Sequence, residues 1–549
     1  MMETPPPRPS AWQLFTAFHS PGRRWPGALR AGLAMGLPGT VAILLGFEAE
    51  LLLIAAGSFT VIHGEGYAYR ARWKVLLTAG ALFITGAVAG AFVGTVVWGQ
   101  IEAGATRWWL LLTVAFATAI AGVGIYVANA LRLPPPGPWF ILLVTGASTM
   151  THRLDLNPVE VGAWAGVGVL SSVLVGMAPA LLNPRGPEED AVRVLEAAVA
   201  DSDGSVEKLH QAQTAVTHAW FTLADARAIH AGRIVDASGL AERTLAAQAT
   251  LVGTGSRAVD EISDNRNYLD VDRVKVPHTR PSISYRLYRS IHPDSHAMMT
   301  ATRVMLACLG AGVTSIALGF NRPDWAIVST LLILQWGPDK VPGTIRGVHR
   351  FLGSVLGVGL FGVLYILDVH AWTLMLALSV CLFFSEIFVT RNYALAVIFT
   401  TPVALMLGGA LQEPVGVTVY ERVIEIAFSV IFALALLWLY RWDAEPAHHL
   451  RLQLRCRRAM ESLLGALLTS APDEALEQRR DLQYELLSER RAAQSLSRNN
   501  PDVATQRWEE HLHLQRTGYA LLDYCEAHGD TRLPFGDIQS VAERIDHHA

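Results

Sequence analysis

Two arginines stand inside stretches that otherwise read as bilayer-spanning helices. Arg30 and Arg303 each lie about one turn inside the first end of an apolar run, Ala28 to Phe47 and Ala301 to Phe320. An arginine near the bilayer centre costs roughly 2.5–3.5 kcal/mol, and less when it snorkels from a helix end. A pair at one depth, both facing a shared axis, would form a two-guanidinium gate for a carboxylate, which a guanidinium holds through two parallel hydrogen bonds. The plainer reading makes each arginine a cytoplasmic anchor. Acidic residues at membrane depth come next. Glu425 follows Glu421 by four residues and Arg422 by three, so the three can share a helix face. Glu386 sits near the end of its run, close in sequence to Arg391. Carboxylates desolvated at such depth are candidate proton carriers, and the competing reading is interfacial charge neutralised by nearby arginines. Glu50 and Asp324, at the starts of two further runs, read as outer-loop charges.

The loop His63-Gly64-Glu65-Gly66-Tyr67 is answered later in the chain by Gly337-Pro338-Asp339-Lys340-Val341-Pro342-Gly343-Thr344, and bases follow each. Glycine and proline there break the helix, and freed backbone groups at membrane depth are tolerated where they line a cavity or meet protein. Gly64, Gly337 and Arg350 therefore join Arg30 and Arg303 as candidate substrate-binding residues, with Glu425 and Glu386 as candidate proton-coupling residues. No catalytic constellation appears: there is no nucleophile elbow, Walker loop or HExxH, so an enzyme is not expected. Gly357-Val358-Gly359-Leu360-Phe361-Gly362 has the letters of a dinucleotide fingerprint but no preceding soluble strand, which leaves helix packing. His511 and His513 are two apart, on different helix faces, with no zinc spacing around them. No metal or cofactor is expected.

The elements that would position these residues repeat. Ala28, Arg30, Leu33, Gly39 and the pair Gly46-Phe47 recur 273 positions on as Ala301, Arg303, Leu306, Gly312 and Gly319-Phe320, and the same offset pairs Gly64 with Gly337 and Gly80 with Gly353. One unbroken register over that distance argues duplication. With 549 residues, 51% of them hydrophobic and only 17% charged, the chain exceeds soluble usage in apolar content. A net charge of −4 gives no basic surface, so nucleic acid is an unexpected partner. The four cysteines suggest no disulfide framework.

Six apolar runs fall in 28–182 and six in 299–440. The second and fifth of the first set, Leu51 to Ile62 and Trp139 to Met150, are short and either extend into adjoining sequence or are re-entrant. Arginine and lysine alternate between loops: Arg23, Arg24, Arg70, Arg72, Lys74, Arg132 and Arg185 on one side, then Lys340, Arg346, Arg350, Arg391 and Arg441 in the second set. That side is expected to be cytoplasmic, in a cell inner membrane, with both termini inside. An even number of crossings per half gives the copies one orientation and a pseudo-two-fold axis along the membrane normal. The expected fold is all-α: two parallel-repeat six-helix transmembrane halves, a lead-in over 1–27, and polar helical segments over 183–298 and 441–549 packed into one cytosolic domain. The chain could be monomeric with pseudo-dimeric halves; the sequence leaves its oligomeric state open.

At Leu334-Gln335-Trp336-Gly337-Pro338-Asp339, Arg350-Phe351-Leu352-Gly353-Ser354-Val355-Leu356-Gly357, and Asn392-Tyr393 followed by Phe399-Thr400-Thr401-Pro402, the sequence resembles the fusaric acid resistance (FUSC) family. That family lies within the aromatic acid exporter superfamily, which also contains the plant aluminium-activated malate transporters. Relatives carry arginine, aspartate three later and then glycine in the last helix; here Arg422 and Glu425 stand, with Phe428 and Ser429 in the glycine region. The resemblance implies export of organic, often aromatic, carboxylates through a central path between the halves, with membrane lipid and a small organic anion as the contacting partners. A proton-coupled exporter, a passive organic-anion channel and a non-transporting scaffold with partner-binding cytosolic helices remain distinct expectations.

Overall fold

The computed structural model describes residues 5, 10–18, 25–133, 136–203, 206–230, 233–259, 281–335, 337, 339–389, 391–407, 411, 414–441, 444–529 and 531–546. Arg23, Arg24, Trp336, Pro338 and, from the start of the chain, all of Pro6 to Pro9 lie outside the described residues.

A short helix α1 (Ala11–Thr16), capped by the Ser10 hydroxyl, leads into six apolar helices: α2 (Trp25–Leu44), α3 (Leu51–Ser58, continued as a 3-10 turn to Ile62), α4 (Tyr69–Glu102), α5 (Leu110–Leu131), α6 (Trp139–Ser148) and α7 (Pro158–Met177). Polar helices α8 (Gly186–Ala200), α9 (Val206–Asp225) and α10 (Leu240–Val259) follow, with a two-residue antiparallel ladder of β1 (Ile229–His230) and β2 (Arg233–Ile234) between the last two. After α11 (Ile283–Ser290) come six more apolar helices: α12 (His296–Ala317), α13 (Pro323–Leu334), α14 (Lys340–Ile366), α15 (Ala371–Phe388), α16 (Tyr393–Leu407) and α17 (Val415–Leu439). The chain ends in α18 (Ala444–Leu467), α19 (Leu476–Asn499), α20 (Pro501–His528) and α21 (Phe535–Asp546).

Local chemistry sets these boundaries. The Asn157 side chain accepts from the Val159 amide ahead of Pro158 and starts α7, and Ser295 does the same for Met298 at the start of α12. The ends of α2 and α12 are built alike. Gly46 and Gly319 take left-handed φ values of 84° and 86°, and the next amides, of Phe47 and Phe320, reach back to the carbonyls of Ala42 and Ser315 at 2.8 and 3.0 Å.

Eight of these helices are long and apolar enough to cross a membrane, and this is a membrane protein. On α2, Leu29, Leu33, Leu37 and Val41 form an exposed apolar stripe, while Ala31, Ala34, Met35, Gly39 and Ala42 face the bundle, as expected where small residues let helices approach in lipid. Twelve uninterrupted crossings are not what the fold delivers. The second and fifth apolar helices of each set, α3, α6, α13 and α16, are short, and a ten-residue helix such as α6 rises only about 15 Å against a hydrocarbon core of about 30 Å. Every residue of α13 is buried, so that short helix occupies the middle of the bundle.

The two sets exchange partners. α2 packs along α15, α12 packs along α5, α3 meets α16, and α6 meets both α13 and α16. Within each set, the long third helix packs on the fifth and sixth. The glycine-rich stretch of α14 is a packing surface, since a side chain at Gly357 would run into Thr401 and the Ile398 carbonyl of α16.

The polar helices from both parts of the chain pack together. Trp220 anchors one core with Val192, Leu195 and Leu245, and Leu482, Leu486, Leu522 and Tyr519 form another. His210 of α9 meets the Tyr519 hydroxyl of α20 at 3.0 Å, joining them. His511, which its own sequence neighbourhood left isolated, is buried with Glu489 and His449: both imidazoles contact the Glu489 carboxylate at 2.8–2.9 Å, and Gln515 donates to it at 2.6 Å. Arg490 donates to the far nitrogen of His511 at 2.9 Å, which places the proton of that ring on the side facing Glu489. Burial alone would raise the Glu489 pKa, but the two histidines outweigh it and hold the carboxyl well below its usual range.

Candidate functional site

Helix α13 has no solvent or lipid face, yet it begins Arg322-Pro323-Asp324-Trp325. Asp324 is therefore no outer-loop charge. It is buried, and Arg322, buried beside it, donates to both its oxygens at 3.0 and 2.8 Å. Around this pair the bundle gathers groups from four helices: Ser315 of α12, Trp325 and Ser329 of α13, Arg350 of α14, and Thr418, Arg422, Glu425 and Ser429 of α17, all buried.

Their bonding is incomplete in a consistent direction. Glu425 accepts from the Ser315 hydroxyl at 2.6 Å through one oxygen, and its other oxygen has no hydrogen bond. Arg350 donates to Ser329 at 3.2 Å but leaves Nε unused. Arg422 uses none of its three nitrogens in a hydrogen bond; its contact is with the Trp325 ring, 5.2 Å from guanidinium carbon to ring centre, and Arg322 approaches the same ring at 4.6 Å. The Trp325 indole N–H and the Thr418 hydroxyl are also unpartnered. Each such buried group costs about 1–3 kcal/mol, more when charged. Most of the open valences are donors, so the arrangement can satisfy an anionic acceptor. Among the described residues of the cluster, Glu425 is the carboxylate with an oxygen that accepts no hydrogen bond.

The site borders the junction between the two sets, because α6 passes so close that a methyl group at Gly146 would lie 3.0 Å from the Asp324 Cβ. On the other side of that junction a cavity of about 200 Å³ is lined by Leu52, Ala56, Val144 and Leu407, from α3, α6 and α16.

The site has no counterpart in the first set. Offset by 273, Asp324, Trp325, Ser329 and Arg350 become Leu51, Leu52, Ala56 and Leu77. Ser429 of α17 donates to a carbonyl of α13, and Ser172 of α7 donates to one at the end of α3. There α3 and α7 touch backbone to backbone: a Cβ on Gly57 would fall 1.9 Å from the Ala165 carbonyl oxygen, and one on Gly168 2.0 Å from that of Ile54. Bare backbone in one set and buried charge in the other make the polar cluster a feature of the second set.

The remaining candidates lie elsewhere. Arg30 pairs with Glu65, and Arg303 donates to the carbonyls of Tyr440 and Arg441 at 2.9 and 3.4 Å, leaving Nε and Nη1 without hydrogen bonds. Each has protein partners from its own half of the chain. Glu386 is buried near the end of α15. Gly64 and Gly337 both adopt positive φ, 77° and 121°, in the loops that follow the short helices α3 and α13. Arg350 is the one substrate-binding candidate that the fold brings to Glu425 and Arg422. Sequence reading passed over Arg322, Trp325, Ser315 and Ser329; the available signal was a charged pair opening a helix with no polar face.

Residues 306–436 match a family model described as fusaric acid resistance protein-like, a span that contains every residue of the cluster. The chain is also 22% identical over 485 residues to a Bacillus subtilis (strain 168) protein described as an uncharacterized membrane protein, YvaC, covering 75% of this chain and 73% of that one. No solved structure matches it.

Proposed function

We propose that this protein exports organic carboxylate anions, aromatic ones included, across the membrane, and that the anion is taken by Arg422 with Arg350 while Glu425 carries a coupling proton. The observation behind this reading is the Arg422 guanidinium, buried with every N–H free of hydrogen bonds beside an unpartnered indole N–H and a half-used carboxylate. A carboxylate satisfies two of those donors at once, and an aromatic ring has the Trp325 face nearby. The similarity to fusaric acid resistance-like proteins supports the transport class.

In this reading the two sets are parallel repeats about an axis along the membrane normal, and the path follows their junction past α3, α6, α13 and α16. The partner exchange of α2 with α15 and α12 with α5 supports that arrangement. The polar domain lies in the cytosol of a bacterial-type inner membrane, on the side of Arg70, Arg72, Lys340 and Arg346. Arg303, with two free nitrogens, draws anions toward the inner mouth, whereas Arg30 is neutralised by Glu65.

Flux of benzoate from proteoliposomes loaded with the purified protein tests the proposal. Flux that follows an imposed proton gradient supports a coupled exporter. Flux down the anion gradient but indifferent to pH converts the reading to a channel, and no flux above empty vesicles removes transport in favour of a scaffold.

A further inference from the structure

A cluster of arginines lines a cavity where the polar domain meets the membrane helices. A chamber of about 470 Å³ lies between the end of α5, the start of α12, the residue before α14, and helices α18 and α19. That volume falls within the range of small-molecule sites. Arg132, Arg289, Arg451, Arg455 and Arg491 line it together with His296, against the carboxylate of Asp339.

The arginines are fixed to different degrees. Arg289 and Arg455 share Glu485, at 3.1 and 2.6 Å, so that carboxylate holds two guanidinium groups at once. Arg132 bonds the Ser488 hydroxyl and lies over the Tyr484 ring, 4.0 Å from its centre. Arg451 donates to the Arg289 carbonyl at 3.2 Å and leaves Nη1 without a partner, as does the His296 Nε2 that lines the same wall. Arg491 makes no hydrogen bond or ion pair among the described residues, and it also borders an adjoining cavity of about 370 Å³ that reaches Glu65 and Tyr67.

Asp339 is occupied elsewhere, by Ser495, and by Asn499 at 2.9 Å. We infer that this chamber binds a small soluble anion carrying two or more carboxylate or phosphate groups, at a site separate from the membrane cluster. The guanidinium groups come from four different elements, so one monovalent group cannot reach them all, and a multivalent ligand would tie α18 and α19 to α5 and α12. The inference does not depend on the transport reading, because it concerns binding alone.

Calorimetric titration of the purified full-length protein at low ionic strength tests it, with citrate and inorganic pyrophosphate as probes and, as the monovalent comparison, benzoate titrated into Arg422→Gln so that the membrane cluster does not report. Citrate or pyrophosphate should bind at least about tenfold more tightly than benzoate, and Arg451→Gln and Arg491→Gln should each weaken that binding by about tenfold, while Arg422→Gln leaves it unchanged. On wild-type protein, the bound probe should protect Arg451 and Arg491 from phenylglyoxal, read by mass spectrometry, which keeps the test open should a variant fail to fold. The inference is overturned if neither multivalent probe binds better than benzoate, if labelling of both arginines is unaffected, or if Arg422→Gln abolishes the binding.

Discussion

Arg422 and Glu425 are one turn apart on α17, both buried, and they do not pair. In a helix, residues three apart can meet, and in low dielectric the attraction between opposite charges is strong. Here Glu425 turns to Ser315 and Arg422 to the face of Trp325, leaving donors and an acceptor open side by side. A structural ion pair would close that gap, and a site that alternates between ligand and proton needs it open.

Glu425→Gln keeps the shape and the bond from Ser315 but holds no exchangeable charge. Benzoate flux by this variant is expected to lose its response to an imposed pH gradient while retaining exchange of benzoate across the membrane. A variant with the wild-type response would remove Glu425 from the coupling role.

Glu65→Gln should free Arg30 from its carboxylate partner. If the inner mouth attracts anions electrostatically, the half-saturating benzoate concentration falls by roughly threefold or less, as for a half-buried charge near solvent, and the gain shrinks with added salt. Arg303→Ala is expected to shift it the opposite way. Concentration dependence of flux at two ionic strengths reads both.

The polar domain carries a buried group and a half-buried one whose titrations oppose each other. Burial raises the Asp523 pKa from 3.8 to about 7, so its contribution to stability is complete below pH 3.8 and is lost as pH rises toward 7. Burial, with Arg490 and Arg491, lowers His210 from 6.5 to about 3, so its contribution is complete above pH 6.5 and is lost as pH falls. Asp523→Asn should raise the melting temperature by a few degrees at pH 8 and leave it unchanged at pH 3.5; His210→Gln should flatten the acid side. Thermal unfolding across pH checks both signs.

Much of the fold could be read from the chain. The paired glycine endings at Gly46 and Gly319 and the shortness of Leu51 to Ile62 and Trp139 to Met150 are local properties, and local properties are what periodicity and capping report. The site was only half legible. Arg422 and Glu425 show on one helix, and Arg350 in a motif, but the burial of Asp324 comes from α6 and α17 closing over α13, a long-range fact with no local signature. The same holds for His511, whose partners Glu489 and His449 sit on other helices. Arg30 and Arg303 correspond in sequence, yet each found a partner within its own half, because correspondence fixes depth and not what stands opposite.

The sharpest test of the central claim is benzoate counterflow into proteoliposomes by wild type, Arg422→Lys and Arg422→Gln. Losing one charge-assisted contact of about 1.5–3 kcal/mol predicts a fall of about 10- to 100-fold for Arg422→Gln, with partial activity in Arg422→Lys and no loss of thermal stability, since an unpartnered buried charge has been removed. Wild-type counterflow from Arg422→Gln would contradict the account.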